Sequence, residues 1–354
     1  MAQIAILPGG CDTLNYTQVL FEMPYQPGAT VYEIIITSKD NPAGNISAKT
    51  GKHYFIATSG LHFNNTYHWQ YNCYDGKGTK IYTSPTGTLH IQGTWQADSN
   101  RYRNRIIVND SLKITPGYIL LDNGSIMNRE GEVLWTFPKG KFGTVRDLEF
   151  TKEGTLTFLW DGHCYETDLR GNILWRSPDS ALGYKLTDYH HEFTKLDNGN
   201  YLCMARRIIP GDNSTVFSIV FETDKHGNTQ WLWDEKQYYS HETNFAGSHL
   251  NAAYYDAKEK RLYVSNRDLN SIARINTHKA MIEYSLGYDY HNSSITTYYP
   301  QDEFGRQHAV SMLDNSDLLL FNNNYPGKTS SVIIMSQPMG KIAPEVKWEY
   351  IFHF

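Results

Sequence analysis

The chain has 354 residues, of which 19% are charged, and a formal net charge of −5. This length allows one large domain, or a large domain with a small one, and the absence of a basic stripe argues against a nucleic-acid partner. No run of about 18 apolar residues occurs, so the sequence predicts no membrane-spanning helix. Its start, MAQIAILPGG, is too short and lacks the basic residues of a signal peptide, so the chain as given is expected to be soluble and not exported.

The first part of the chain shows the alternation of half-buried strands. Apolar and polar residues alternate in three runs: Ala29 to Ser38, His53 to Leu61 and Thr66 to Asp75. Alternation with period two is typical of strands, and we predict a small antiparallel β-sandwich over residues 1–95. The four cysteines have neither a C-x-x-C spacing nor an obvious disulfide framework; they are Cys11, Cys73, Cys164 and Cys203.

From about residue 100 a second kind of unit repeats. Each copy has a strand, a polar turn and a short strand that closes on an aromatic residue: Trp135, Trp175, Trp231, Tyr284 or Trp348. Spacings of roughly 40 to 65 residues predict a β-propeller over residues 96–354. We distinguish five blade units, about 96–138, 139–178, 184–234, 240–286 and 290–350. The closing aromatic is predicted to pack between blades, because large rings dominate such cores.

Three stretches inside this region share a further layout. HEFTKLDNGNYLCMARR begins at His191, HLNAAYYDAKEKRLYVSNR at His249 and HAVSMLDNSDLLLFNNN at His308. Each has a histidine, an alternating run, a polar turn and an apolar run. Since the inner strands of successive blades lie side by side around the axis of a propeller, we expect these three histidines to converge.

Two more side chains are predicted to join them. Alternation puts Asn251 on the same face as His249, and Arg267 ends the next strand. Imidazole, amide and guanidinium groups donate hydrogen bonds to anions, and arginine's planar fork suits oxyanions. Such a site predicts a sulfate or phosphate ester as substrate, with a neutral histidine able to attack it.

Several alternatives stay open from the residues. His190 is a rival for the position of His191, and alternation lets only one of the pair face the channel, while Glu192 should point away. The repeated histidine is alternatively a structural hydrogen-bonding residue. A three-histidine metal site, as for zinc, is a further alternative, although an arginine is not a ligand.

The motifs HHEFT, LDNGN, HLN, SNR and QHAVSMLDN resemble those of the PAPS-independent aryl-sulfate sulfotransferase family over most of the chain. The resemblance implies an N-terminal β-sandwich with a six-bladed propeller. It also implies ping-pong transfer of a sulfuryl group from a phenolic sulfate ester to a phenol, without a nucleotide donor, cofactor or metal. The transiently sulfated histidine falls on His308, and the sulfate-holding residues fall on His191, His249, Asn251 and Arg267.

Within this hypothesis, His308 must be neutral to attack, which sets a lower pH limit near the ordinary histidine pKa of about 6.5. His191 is a candidate donor of a proton to the leaving phenolate. The partners are small molecules, with a homodimer left open.

The chain departs from the family in two respects. First, five blade units are recognised instead of six, so a sixth blade is either built from residues 80–105 or missing. Second, the family resemblance implies an exported location, but the expected leader sequence is not found. The other functional hypotheses are a non-catalytic propeller scaffold and a metal-dependent hydrolase or lyase.

Overall fold

The computed structural model describes residues 8–9, 11–39, 45–93, 106–107, 109–110, 112–113, 115–138, 140–209, 212–239, 249–300, 304–324 and 328–352. These contain many strands and one short helix, so the all-β prediction is confirmed. No helix in these ranges is long and apolar enough to cross a membrane. The chain divides into two compact units, residues 1–148 with 168–172, and residues 149–167 with 173–354. The predicted boundary at residue 95 lies outside the described residues and stays a prediction.

The first unit begins with a small two-sheet arrangement. Its strands are β1 (Cys11–Leu14), β2 (Val19–Glu22), β3 (Val31–Ser38), β4 (Ile46–Thr50), β5 (Tyr54–Ala57), β6 (Asn65–Tyr74), β7 (Lys80–Thr83) and β8 (Gly87–Ile91). One sheet has the order β1-β8-β6-β3-β4 with β7 also on β6, and β2 pairs with β5. A single core joins them, with Phe21 of β2 packed among residues such as Ile34 and Tyr67. This agrees with the predicted β-sandwich.

A three-stranded sheet completes the first unit. Its strands are β9 (Tyr118–Leu121), β10 (Ser125–Asn128) and β11 (Val133–Thr136), in the order β11-β10-β9. They coincide with the first predicted blade unit. Trp135 is buried at the end of this sheet, 4.9 Å from the ring of Phe137.

The remaining sheets follow one another along the chain. Their strands are β12 (Arg146–Phe150), β13 (Leu156–Trp160), β14 (His163–Thr167), β15 (Ile173–Arg176), β16 (Ser180–Ala181), β17 (Tyr184–Lys195), β18 (Tyr201–Ile209), β19 (Asp212–Thr223), β20 (Thr229–Asp234), β21 (Leu250–Asp256), β22 (Arg261–Asn266), β23 (Ser271–Asn276), β24 (Met281–Leu286), β25 (Thr296–Tyr298), β26 (His308–Met312), β27 (Leu318–Asn322), β28 (Ser331–Met335) and β29 (Val346–Ile351), with the helix α1 (Lys236–Tyr239) after β20.

Each of these sheets consists of strands consecutive in sequence. The orders are β12-β13-β14-β15, β16-β17-β18-β19-β20, β21-β22-β23-β24-β25 and β26-β27-β28-β29. Consecutive antiparallel strands form the blades of a propeller, and β25 joins its sheet in the parallel direction. Together with β9 to β11, these sheets correspond to the five predicted units, except that β25 was predicted in the fifth unit and pairs with β24 of the fourth sheet. A six-bladed count stays an expectation.

One suggestion for a sixth blade is wrong in part. The segment from residue 80 to 91 forms β7 and β8, and both strands pair with β6 in the N-terminal sheet. These strands are therefore committed to the sandwich. Residues 94–105, the rest of the suggested segment, lie outside the described part of the chain.

The closing aromatic residues pack as predicted in two of the blade units. Trp175 stacks on Tyr201 with ring centroids 3.9 Å apart, and Trp231 lies 5.4 Å from the ring of Tyr255. In both pairs the partner belongs to the following sheet. Trp348 differs, because it is 49% exposed and stacks on Tyr350 of its own strand.

The polar turns of two repeats adopt the same conformation. Gly199 has a φ of 82° and Ser316 a φ of 68°, and each backbone N–H donates to a carbonyl three residues earlier, Leu196 or Leu313. Glycine takes this left-handed conformation without steric cost, and serine takes it less readily. Cys73, Cys164 and Cys203 are fully buried.

Candidate active site

All the predicted site residues lie in the second unit, on or beside β17, β21 and β26, and β21 contacts both of the other strands. Each strand breaks its pairing register near the predicted site. The irregularities fall between Tyr189 and Phe193, between Leu250 and Ala252, and between His308 and Ser311. Bulges re-aim side chains and are frequent near active sites. The three copies therefore share a local distortion as well as a histidine.

The distortion in β17 changes the roles of His190 and His191. His191 has a φ of 63°, in the left-handed region, so the strict alternation assumed from the sequence does not hold here. The Nδ1 atoms of the two rings lie 2.8 Å apart, and the ring of His191 lies 5.4 Å from that of His249. The two rings contact each other, with His190 buried and its Nε2 3.1 Å from Ser218 Oγ, and the expectation that only one of the pair faces the channel stays a prediction.

His249 and Arg267 are joined by the backbone and by a shared carboxylate. The N–H of Arg267 donates to the carbonyl of His249 at 2.9 Å. Asp268 Oδ1 lies 2.6 Å from Arg267 Nη1, and its Oδ2 lies 3.5 Å from His249 Nδ1. The sequence reasoning placed no carboxylate at this position. Asp268 orients both donors, in the way that an outer carboxylate orients a functional histidine.

His308 begins β26 and is held through its Nδ1 atom. That nitrogen lies 3.0 Å from the carbonyl of Arg306 and 2.8 Å from the amide nitrogen of Asn323, which also donates to the same carbonyl at 2.9 Å. A carbonyl only accepts hydrogen bonds, so it favours the tautomer with the hydrogen on Nδ1. In that tautomer Nε2 carries the lone pair. In the other tautomer Asn323 would donate to Nδ1.

Asn251 is directed at the backbone before His308. Its side chain is 4% exposed, and Nδ2 donates to the carbonyl of Gln307 at 2.6 Å. The hydroxyl of Ser265 donates to the same carbonyl at 3.3 Å. The amide hydrogens of Asn251 are thus used in part to fix the chain next to His308. Its contact with a sulfate group, expected from the sequence, stays a prediction.

The side chain of Gln307 adds to this support. It is fully buried, and Nε2 donates to Ser265 Oγ at 3.0 Å and to the carbonyls of Asn266 and Ser271 at 3.1 Å and 2.8 Å. These partners lie on β22 and β23. Gln307 therefore ties the start of β26 to the preceding sheet.

Glu192 links the first two of the three strands. One carboxylate oxygen accepts from the N–H of Ala253 at 2.9 Å, and the other accepts from the hydroxyl of Thr194 at 3.0 Å. Burial raises the pKa of this carboxyl well above its usual range, and the nearby charge of Glu149 acts in the same direction. Glu192 thus positions β21 against β17.

The electrostatic environment keeps two of the histidines neutral. Burial lowers the pKa of His190 to about 3, and the charges of His191, Arg206 and His249 contribute in the same direction. The pKa of His308 is also lowered, mainly by burial and further by Arg267 and His249, against an opposing effect of the Arg306 carbonyl. A neutral His308 is a competent nucleophile.

Three supporting residues were not identified from the sequence. They are Asp268, Gln307 and Asn323. Asn323 directly follows β27, as Arg267 directly follows β22. A comparison of the ends of these two repeats could therefore have identified Asn323 from the sequence. Gln307 directly precedes its histidine, but no pattern in the sequence shows which strand its side chain reaches.

The fold and site define an all-β protein with propeller-type blades and a cluster of imidazole and guanidinium groups on three neighbouring strands. The chain belongs to the arylsulfotransferase (ASST) family, whose model matches residues 119–339, more than half of its length. This membership supports an aryl sulfotransferase activity in general.

Solved structures with some similarity are remote. A protein of unknown function from Bacteroides caccae is 15% identical, covering 67% of this chain and 73% of its own, with a TM-score of 0.41. The Cps50 (Swd1) β-propeller domain of Myceliophteria thermophila is 12% identical, covering 64% and 66%, with a TM-score of 0.37. A streptogramin B lyase is 12% identical, covering 96% and 88%, also at 0.37. The comparison with curated proteins gives no match.

Proposed function

We propose that this protein is an aryl-sulfate sulfotransferase that moves a sulfuryl group from a phenolic sulfate ester to a phenol through a sulfated His308. The reaction uses neither a nucleotide donor nor a metal. The substrate is held by His191, His249 and Arg267, with Asn251 behind them. Family membership supports the class of reaction, and the residues around His308 support the mechanism.

The observation that carries the proposal is the environment of the His308 ring. Its Nδ1 faces an obligate acceptor, the Arg306 carbonyl, at 3.0 Å, and its pKa is lowered by burial and by the charge of Arg267. The lowered pKa favours a neutral ring near pH 7, and the tautomer that the Arg306 carbonyl favours has its lone pair on Nε2. When Nε2 becomes bonded to sulfur, the imidazole ring gains positive charge, and the carbonyl stabilises the N–H that becomes more acidic.

The chemical steps balance as follows. His308 Nε2 attacks sulfur, the bond between sulfur and the phenolic oxygen breaks, and the leaving phenolate takes a proton from His191. An acceptor phenol then returns a proton to His191 while its oxygen attacks sulfur and the S–N bond breaks. Sulfuryl transfer, like phosphoryl transfer, is expected to have a loose, in-line transition state whose equatorial oxygens need stabilising. Arg267 and His249 supply donors for them, and each such donor is typically worth about 2.7–4 kcal/mol.

The test is release of 4-nitrophenol from 4-nitrophenyl sulfate, with and without added phenol, by wild type and His308→Ala. We expect release that depends on the acceptor and falls by at least about a thousandfold in the variant, as for loss of other nucleophiles. Wild type treated with donor alone should gain the mass of one SO₃ group on the peptide containing His308. His278→Ala, which removes an exposed histidine in the turn before β24, is the matched control and should retain activity.

Three outcomes would contradict the proposal. Acceptor-independent release that survives His308→Ala would indicate a hydrolase that uses other residues. Release that is abolished by a chelator and restored by a metal would favour a metal-dependent enzyme. A folded wild-type protein without any release would favour a binding scaffold.

A further inference from the structure

The neighbouring rings of His190 and His191 form a hydrogen-bonded pair. The proposed reaction uses His191 but gives no role to His190. His190 is 9% exposed, and its Nδ1 lies 2.8 Å from Nδ1 of His191. Its Nε2 lies 3.1 Å from the hydroxyl oxygen of Ser218. Both ring nitrogens of a buried histidine are therefore engaged, one by a serine and the other by a residue of the site.

Ser218 is itself held in place. Its backbone N–H donates to the carboxylate of Glu235, and both residues are buried. The strand that carries Ser218, β19, thus fixes the hydroxyl against the far side of the His190 ring. This ordered chain of Ser218, His190 and His191 leads from the interior of the blade to the cluster with His249.

The hydrogen positions follow from the requirement that a hydrogen bond has one donor and one acceptor. A neutral His190 carries one N–H. If that hydrogen is on Nε2 and donated to Ser218, Nδ1 is an acceptor and must receive a hydrogen from Nδ1 of His191. The opposite arrangement requires Ser218 to donate and His190 to donate to His191. Only the first arrangement lets His191 keep its Nδ1 hydrogen bond in both the protonated and the neutral state.

We propose that His190 is a positioning residue that accepts the Nδ1 hydrogen of His191 and so assigns Nε2 of His191 to the exchange of the phenolic proton. The inference rests on the proposed sulfotransferase function. Protonated His191 donates from Nε2 to the leaving phenolate and keeps its Nδ1–H bond to His190. Neutral His191 then has a lone pair on Nε2, which receives the proton of the acceptor phenol. His190 gains and loses no proton.

The charges around the pair are consistent with a permanently neutral His190. Arg206, His191 and His249 all disfavour its protonated form in addition to burial. Arg206 is itself paired with Asp188 at 3.5 Å, and the carboxylate of Glu235 accepts from the backbone N–H of Ser218. His190 thus takes the position of the carboxylate in an acid–histidine pair, but as a neutral acceptor.

The experiment compares two donors that differ in how much they need a proton. 4-Nitrophenolate leaves readily, whereas phenolate is a stronger base and needs acid assistance, which is typically worth about 10²- to 10⁴-fold. We expect His190→Leu to lower kcat/KM for phenyl sulfate by roughly 10- to 100-fold and for 4-nitrophenyl sulfate by about threefold or less. His190→Asn, whose amide oxygen can replace the Nδ1 acceptor, should keep both values within about threefold of wild type.

A second readout uses charge. His190→Asp places a carboxylate beside His191 Nδ1, which raises the pKa of His191. The alkaline limb of kcat/KM for phenyl sulfate should move to higher pH by about one unit. If His190 had only a structural role, His190→Asp would not move the alkaline limb to higher pH.

Two results would overturn the proposal. In the first, His190→Leu and His190→Asn lower kcat/KM for both donors by the same factor. In the second, neither variant changes the ratio of kcat/KM for phenyl sulfate to kcat/KM for 4-nitrophenyl sulfate. A wild-type protein that transfers no sulfuryl group from either donor overturns the proposed function instead. Circular dichroism and the thermal midpoint of each variant show that it is folded, and the smaller, polar His190→Asn, read together with His190→Asp, keeps the test decisive if His190→Leu does not fold.

Discussion

Replacing Gln307 by methionine should lower the stability of the fold and loosen the position of His308, the proposed nucleophile. The amide nitrogen of Gln307 makes three hydrogen bonds at 2.8–3.1 Å, two of them to backbone carbonyls. A typical hydrogen bond contributes about 1 kcal/mol net, and an acceptor left unsatisfied costs about 1–3 kcal/mol. The side-chain oxygen has no hydrogen-bond partner among the described residues, so its removal offsets part of the loss. We expect the free energy of unfolding to fall by about 2–4 kcal/mol.

The catalytic consequence of Gln307→Met follows from its position beside His308. With the backbone carbonyl of Gln307 still held by Asn251 and Ser265, the chain should stay close to its place but lose rigidity. Small misplacement of a reacting group can cost about 10²-fold in rate. We therefore expect kcat to fall by roughly 10- to 100-fold while KM changes by less than about threefold.

The assay combines urea unfolding, followed by tryptophan fluorescence, with steady-state transfer kinetics. The matched control is Gln337→Met. That glutamine also donates from Nε2 to a backbone carbonyl, of Ser316 at 2.7 Å, and accepts from Tyr263 and Tyr284. We expect the control to lose stability but to retain kcat. Wild-type kcat in Gln307→Met, or an equal loss of kcat in both variants, would refute the argument.

Two further predictions follow from shifted pKa values. The pKa of His308 is lowered by burial and by Arg267. In a profile of kcat/KM against pH measured from pH 4 to 9, the midpoint of the acid limb should therefore lie below the ordinary histidine pKa of about 6.5. A midpoint at or above that value would contradict this prediction. The folded-state pKa of Glu192 is raised, so its contribution to stability is present below the ordinary glutamate value of about 4.3 and is lost as pH rises. Glu192→Gln should therefore raise the thermal midpoint more at pH 8 than at pH 5, and an equal change at both would count against it.

Much of the fold follows from local patterns. Alternation in the run from Ala29 to Ser38 corresponds to β3, in which buried residues alternate with partly buried ones over Val31–Ile36. The turns at Gly199 and Ser316 carry left-handed residues in the same place, as their D-N-G and D-N-S sequences indicate. Each of these features depends on residues close in sequence, and the repeat of three histidines could be recognised for the same reason.

How many sheets form, and which strands pair within each sheet, depends on more than the local sequence. Strands β7 and β8 have the periodicity of any half-buried strand, and only their pairing with β6 assigns them to the N-terminal sheet. Likewise, Trp348 carries the same motif as Trp175 but is half exposed. A periodic pattern predicts that a face needs covering, and it does not identify the element that covers it.

The chemistry-bearing residue types were determined by the sequence alone: His191, His249 and His308, with Arg267 at the end of its strand. The tertiary structure decided their orientation. A left-handed backbone at His191 has no signature in sequence, since histidine adopts it only when its surroundings over-determine the conformation, and it joins His190 to the site. Gln307 acquires its role in the same way, because its hydrogen bonds join the start of β26 to β22 and β23 of the preceding sheet.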